Sequence, residues 1–159
     1  EILDATAGGR MIWFQKNYPG ALYVDERVLE KGDFIRRPSF EIKPEVVASF
    51  TKLPFKDKSF SLVVFDPPHT LRYRTTKDGI ISIRYGRLYH DNWEETLELG
   101  FSECWRVLKK KGTLVFKWAE ADKKIKDIKH LFPSEPLFGS RVGKANKTVW
   151  LVFFKNKII

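Results

Sequence analysis

The stretch FSLVVFDPPHT, Phe60–Thr70, is a nearly unbroken apolar run halted by an acid, two prolines and a histidine. A run this short and this apolar lacks the alternation of a half-exposed strand and fits the centre of a parallel sheet covered on both faces. Pro67 and Pro68 donate no backbone hydrogen bonds and hold φ near about −65°, so they end sheet pairing and keep the carbonyls in a stiff geometry. Asp66 thereby falls just past the carboxyl end of a central strand, the edge where open α/β sheets gather their ligands. An acid beside a carbonyl is an acceptor array: the carboxylate takes one hydrogen of an amino group and the Pro67 carbonyl takes the other. Drawing both hydrogens aside pyramidalises the nitrogen and aims its lone pair at an electrophile, with His69 offering a planar surface for stacking.

Working outward, strands alternate with helical segments. Ile2–Leu3 reads as a short strand that stops at Asp4 and turns through Gly8 and Gly9; MIWFQKNY, 11–18, is expected as a short helix closed by Pro19 and Gly20; ALYVDE, 21–26, is a second strand ending on Asp25. Between Arg27 and Pro44 at most one short helix fits, because Gly32, Pro38 and Pro44 interrupt the pattern. EVVASF, 45–50, reads as a third strand. Leu71–Asp91 holds four arginines and three tyrosines without a clear period and reads as a long functional loop. A helix is expected from Trp93, its apolar stripe running through Leu97, Phe101, Cys104 or Trp105, and Leu108, with Lys109–Lys111 as a solvated basic end and Gly112 as its stop. TLVFKW, 113–118, is a fifth strand and DKKIKDIKHLF, 122–132, a short basic helix. PLFGSRVG, 136–143, and KTVWLVFFK, 147–155, form a sixth and a seventh strand joined by the short hairpin KANK. This order implies a three-layer α/β sandwich in one domain over residues 1–159, with one antiparallel strand added to a parallel sheet.

Composition narrows the function classes. With 43% hydrophobic residues in 159, one well-buried domain is attainable. No apolar run approaches the roughly 20 residues of a membrane span and the start shows no secretory signal, so a soluble, cytoplasmic protein is expected. The single cysteine, Cys104, excludes an internal disulfide, and its place on an apolar stripe makes it a poor nucleophile. The three histidines lack ligand spacing, so no metal is expected. The excess of 29 Lys and Arg over 20 Asp and Glu favours a polyanionic partner.

The first two strand ends suit a nucleoside. Ala5, Thr6, Ala7, Gly8 and Gly9 let the backbone approach a ligand closely. Asp25, with Glu26 beside it, closes the neighbouring strand, and its two oxygens match both hydroxyls of a ribose. No G-x-G-x-x-G pattern and no phosphate-binding loop is present, and Asp4 beneath the glycines repels a pyrophosphate but pairs with a cationic amino-acid group. That set points to an adenosine-containing cofactor rather than a dinucleotide or a nucleoside triphosphate. Ser49, Phe50 and Leu53 fit the apolar wall and polar edge of an adenine, Phe50 fitting the core equally well, while Phe55 reads as a core plug. Past His69, the cations Arg72, Arg74 and Lys77 are placed to meet phosphate, with Tyr73 and Tyr85 as stacking groups and Arg84 and Arg87 extending that surface. Lys123, Lys124, Lys126 and Lys129 form a second basic patch.

ILDATAGG, LYVDE, SFTKLPFKDKSFSLVVFDPPH and ECWRVLKKKGTLVFKW resemble, in order, the cofactor and catalytic motifs of the class I S-adenosylmethionine-dependent methyltransferases. DPPH resembles the Asp/Asn-Pro-Pro-aromatic motif of enzymes that methylate amino nitrogens of nucleic-acid bases. The resemblance covers nearly the whole chain. It implies S-adenosyl-L-methionine as cofactor, S-adenosyl-L-homocysteine as product, the glycine loop against the methionine portion, Asp25 on the ribose, and Asp66, Pro67, Pro68 and His69 as the catalytic group. It further implies a Rossmann-like seven-stranded sheet of order 3-2-1-4-5-7-6 with strand seven antiparallel. His69 departs from the commoner Tyr, Phe or Trp, the family's upstream helix does not precede Glu1, and no large target-recognition domain fits. The expected substrate is therefore RNA ahead of DNA, with an accessory recognition subunit or a homodimer as partner. The alternatives are a class I enzyme acting on a small-molecule or protein nitrogen and a non-catalytic cofactor-binding subunit.

Overall fold

Apolar residues on both faces of the central strands commit one sheet to burial on two sides. In the computed structural model, which describes residues 1–156, that sheet is built from β1 (Ile2–Asp4), β2 (Ala21–Asp25), β3 (Val46–Val47), β4 (Phe60–Phe65), β7 (Leu108–Ala119), β8 (Phe138–Val142) and β9 (Thr148–Phe154). The remaining strands, β5 (Leu71–Arg72) and β6 (Leu88–Tyr89), pair with each other in a small parallel side sheet. The order across the main sheet is β3-β2-β1-β4-β7-β9-β8, and β9 alone runs antiparallel to its neighbours. With the side sheet set apart, this is the 3-2-1-4-5-7-6 order that the family resemblance implies. Among the described residues no helix is long and apolar enough to cross a membrane.

One face is closed by α2 (Trp93–Val107). Its stripe Leu97, Phe101, Cys104 and Val107 lies wholly buried against Leu3, Val63, Phe65, Leu114, Phe116 and Phe153. Acids Glu94 and Glu95 in its first turn and Arg106 in its last agree with the helix dipole. The helix ends at Val107, five residues before Gly112, and Lys109–Lys111 belong to β7 rather than to a helix end. The Lys155 ammonium causes the early stop: it takes the orphan carbonyls of Trp105 and Leu108, while the Lys155 carbonyl receives the Lys111 amide. A short α3 (Ile125–Ile128) extends the same layer, burying Ile128.

The opposite face is thinner. Ile2, Ala7, Ala21 and Tyr23 are covered by Trp13 and by chain in turns where a helix over 11–18 is expected. Arg10 breaks that helix: at φ +54° it lies in the left-handed region, its guanidinium sits 3.8 Å over the Tyr23 ring, and it donates to the Lys16 carbonyl and the Asn17 side chain. Eight residues gain too few helical bonds to resist such side-chain competition. The third strand shrinks to two residues, and no helix forms in 27–44. Conversely, the presumed loop 71–91 is ordered by β5, β6 and α1 (Ile80–Tyr85).

Gly100 decides how closely α2 approaches the sheet. A Cβ there would come 2.6 Å from Phe65 and 2.8 Å from Phe50. Alanine ordinarily gains about 1 kcal/mol over glycine inside a helix, but overpacking a closed core costs about 1–3 kcal/mol. Gly100→Ala is therefore expected to lower stability by roughly 1 kcal/mol or more in urea unfolding; a stabilised variant would show that the rings yield freely.

Candidate active site

Register brings three carboxylates to one sheet edge. Asp4 lies opposite Tyr23 of β2 and Val64 of β4, so the ends of those strands carry Asp25 and Asp66 two residues further on. The loop after β1 binds the three ends together. Ala5 and Ala7 donate backbone hydrogen bonds to Val64 and Val24, the Gly8 amide donates to Asp25 Oδ2 at 2.8 Å, and the Asp66 amide donates to Thr6 Oγ1 at 2.7 Å. Gly8 has φ +49°, which glycine alone adopts at little cost. A side chain on Gly9 would strike the Phe40 ring at 2.4 Å.

Each acid has different company. Asp4, 1% exposed, accepts from the Trp13 indole at 2.7 Å and from the Thr6 amide at 3.1 Å. Burial pushes its carboxyl up to about 7 despite those two bonds, with the charges of Asp66 and Asp25 adding to the rise. Asp25 is fully engaged: Oδ1 accepts from the amide and Nε of Arg27, and Oδ2 from Gly8 and the Arg27 Nη2. The same guanidinium donates through Nη1 to the Ile83 carbonyl of α1. Asp66 is held by Lys117 at 3.0 Å; burial raises its carboxyl and the ammonium opposes the rise. His69 lies beside both, its rings 6.1 Å from Tyr85 and 6.4 Å from Trp118. Burial, and then the Lys117 charge, depress its basicity, so it is neutral at neutral pH.

Two clefts meet at this edge. One, of about 340 Å³, is bounded by Phe50 and Ala48 on its apolar side and by Glu26, Asp25 and Arg87 on its polar side. The other, of about 420 Å³, is bounded by Asp4, Gly8, Gly9, His69, Lys117 and Arg84. Thr6, Arg27, Asp66 and Tyr85 line both and form the partition between them. Helix α1 roofs the partition, seated by Gly86, where a Cβ would approach the Pro68 ring to 3.0 Å.

Of the residues singled out in sequence, Asp4, Ala5, Thr6, Ala7, Gly8, Gly9, Asp25, Glu26, Phe50, Asp66, Pro67, Pro68, His69 and Tyr85 line one or both clefts. Others do not. Leu53 is 4% exposed within the main core, and Ser49 is turned to Thr51 at 2.8 Å. Tyr73 stacks on His90 at 4.2 Å, Arg74 pairs with Asp91, and Arg72 bonds its neighbour's carbonyl. These three belong to the β5–β6 side sheet and its turn, and with Lys77 they stand outside the clefts. Two cations at this sheet edge escape a strand-end reading. Arg27 follows directly on the acids of ALYVDE, and Lys117 is the lone charge in the otherwise apolar TLVFKW; a single cation in a buried strand signals a buried acid to be matched.

No protein-family model and no curated relative matches the sequence. Among solved structures, the PH0226 protein of Pyrococcus horikoshii is 17% identical, with 98% of this chain and 81% of that one covered at a TM-score of 0.63. A SAM-dependent methyltransferase of Methanosarcina mazei is 13% identical over 98% of this chain and 92% of that one, TM-score 0.58. The 1,6-didemethyltoxoflavin-N1-methyltransferase of Burkholderia thailandensis, solved with 1,6-didemethyltoxoflavin and S-adenosylhomocysteine, is 12% identical over 98% and 71%, TM-score 0.55. At these identities the shared property is the fold, a Rossmann-like methyltransferase sheet with one antiparallel strand.

Two titrations check the electrostatics. Between the ordinary aspartate range and pH 7 the folded chain holds a proton on Asp4 that the unfolded chain has lost, so Asp4 lowers stability as pH rises through that window and contributes no further change above it. Asp4→Asn is expected to flatten stability against pH between about 4 and 7; an unchanged slope in urea unfolding at several pH values would rule this out. Lys117→Met removes a positive charge near two groups, so the pKa values of both Asp66 and His69 should rise in an NMR titration. Values that stay put would separate Lys117 from this pair.

Proposed function

We propose that this chain is an S-adenosylmethionine-dependent methyltransferase that modifies an exocyclic amino nitrogen of a nucleic-acid base, with RNA favoured over DNA. The observation that carries the reading is the partition: Asp66 borders both clefts, so one carboxylate faces a nucleoside-sized site and a second site at once. The residues present fit the cofactor. Phe50 and Ala48 give an adenine an apolar wall, Glu26 is an exposed carboxylate beside the cleft for a ribose, and the glycine loop leaves room for the amino-acid portion. When bound, the cofactor supplies an electrophilic methyl group.

The protein's share is orientation and charge. Asp66 accepts one hydrogen of the target amine and the Pro67 carbonyl the other, which directs the nitrogen lone pair toward the methyl. Lys117 opposes the rise that burial imposes on the Asp66 carboxyl. Neutral His69 offers a flat face without placing a cation against an amine about to become positive. With the methyl–sulfur bond exchanged for a methyl–nitrogen bond, the cationic nitrogen would pass its excess proton to solvent water, so no strong base is required of this chain. The rim carries Arg27, Arg84 and Arg87, and such a basic rim favours a polyanionic substrate over a small neutral one.

Incubation with methyl-labelled S-adenosylmethionine and separate DNA, tRNA and rRNA pools, followed by nucleoside analysis, should place label on an amino-methylated base in the RNA. Label on no pool despite measurable cofactor binding would sink the nucleic-acid reading, and label on a small amine would move the assignment there. Asp66→Ala should lower transfer by a factor of about 10³ or more while cofactor affinity changes little.

A further inference from the structure

Beyond the two clefts at the partition lies a third, of about 680 Å³, formed where the β1–β2 and β2–β3 connections face each other. Five cations line it, Arg10, Lys16, Lys31, Arg37 and Lys43, against one acid, Glu41. None of the five has a carboxylate within ion-pair distance among the described residues, whereas Arg74, Arg87, Arg106 and Arg141 each have one. Arg36, Arg72, Arg84 and many lysines are likewise outside any ion pair among the described residues, but here five such cations line one cleft. Arg10 organises the wall, its guanidinium donating to the Lys16 and Lys43 carbonyls at 2.8 Å and so fixing the backbone that presents two of the other cations.

The cleft is continuous with the active edge. It shares Gly8, Gly9 and Met11 with the cleft containing Asp66 and His69. Phe40, in its wall, lies so close to Gly9 that no side chain fits between them. Met11 at 50% and Phe14 at full exposure stand in the same connection, giving apolar surface beside the charge. A run of uncompensated cations with exposed apolar side chains is what a flexible polyanion with planar bases needs: fixed positive charge for phosphates and apolar surface for bases.

We propose that this cleft holds the phosphodiester backbone of a single-stranded nucleic acid, running from Lys31 and Arg37 past Arg10 to the glycine loop, so that a base beyond it reaches Asp66. The assignment rests on the proposed function only for that last step. The Arg72–Lys77 segment lies off this path, with Arg74 paired to Asp91 and Tyr73 stacked on His90.

The test separates the two. Fluorescence anisotropy with labelled oligouridylate and oligothymidylate reads backbone binding alone, since neither base carries an exocyclic amine to methylate. The combined variant Lys31→Ala, Arg37→Ala, Lys43→Ala should weaken both by about tenfold or more and lower the slope of log affinity against log salt by about 2, at roughly 0.7 per lost phosphate contact. A control with Lys56, Lys109 and Lys110 replaced, at the far end of the sheet, should keep affinity and slope. The single charge reversal Lys31→Glu, on an exposed turn, should weaken binding in the same direction with an unchanged melting temperature. Equal losses in the control and groove variants, no loss in either, or tighter binding of the wild type to phosphatidylserine–phosphatidylcholine vesicles than to either oligonucleotide would overturn the proposal. If the groove variant loses binding while no pool is methylated by the wild type, the groove stands and the reaction falls; methylation of RNA with full activity in the groove variant gives the reverse.

Discussion

Three carboxylates converge on one sheet edge, and the way each is neutralised organises everything around them. Parallel pairing of β1 between β2 and β4 forces the convergence. Asp4 is met by an indole, an amide and, below about pH 7, a proton; Asp25 by a guanidinium from its own strand end; Asp66 by an ammonium from the adjacent strand β7. Left without partners, three such charges would repel one another at a cost no small domain can absorb. The partners therefore fix the architecture. Trp13 ties down the turns over the thin face, Arg27 reaches α1, and Lys117 anchors β7 to the strand carrying Asp66.

This arrangement also couples the main core to the edge. Phe65 touches Phe50, Phe101 and Phe116 at ring distances of 5.3, 5.2 and 5.8 Å, and it directly precedes Asp66. Phe50 in turn lines the nucleoside-sized cleft. A core aromatic, a strand end and a cleft wall are thus one packed unit, closed on its other side by the absence of a side chain at Gly100. Arg106 serves the same unit from a distance, linking Glu103 and Asp57 while capping the Leu53 and Phe55 carbonyls.

The strands and the acids that close them were legible because they depend on local signals: apolar runs, stops at Asp4, Asp25 and Asp66, and the conformational demands of Gly8 and the proline pair; the order of the strands across the sheet came only with the family resemblance. What was not legible depends on contacts between distant segments. The helix expected over 11–18 is lost to Arg10, whose partners Tyr23 and Lys43 are remote in sequence. The early end of α2 is set by Lys155, some 47 residues past the carbonyl of Leu108 that it caps. Arg72, Tyr73 and Arg74 sit next to the motif in sequence, yet β5 leads them away from it. Their places on the rim are filled by Arg27, Arg84 and Arg87, because α1 folds back over the partition.

Arg27 gives the nucleoside-sized cleft a distinctive thermodynamics. Both oxygens of Asp25 are already in charge-assisted hydrogen bonds. A diol arriving there does not fill empty acceptors; it exchanges with an intramolecular guanidinium that is never diluted. For any diol offered to that strand end, the gain from Asp25 is a difference between two sets of bonds, realised only to the extent that Arg27 finds an equally good partner elsewhere.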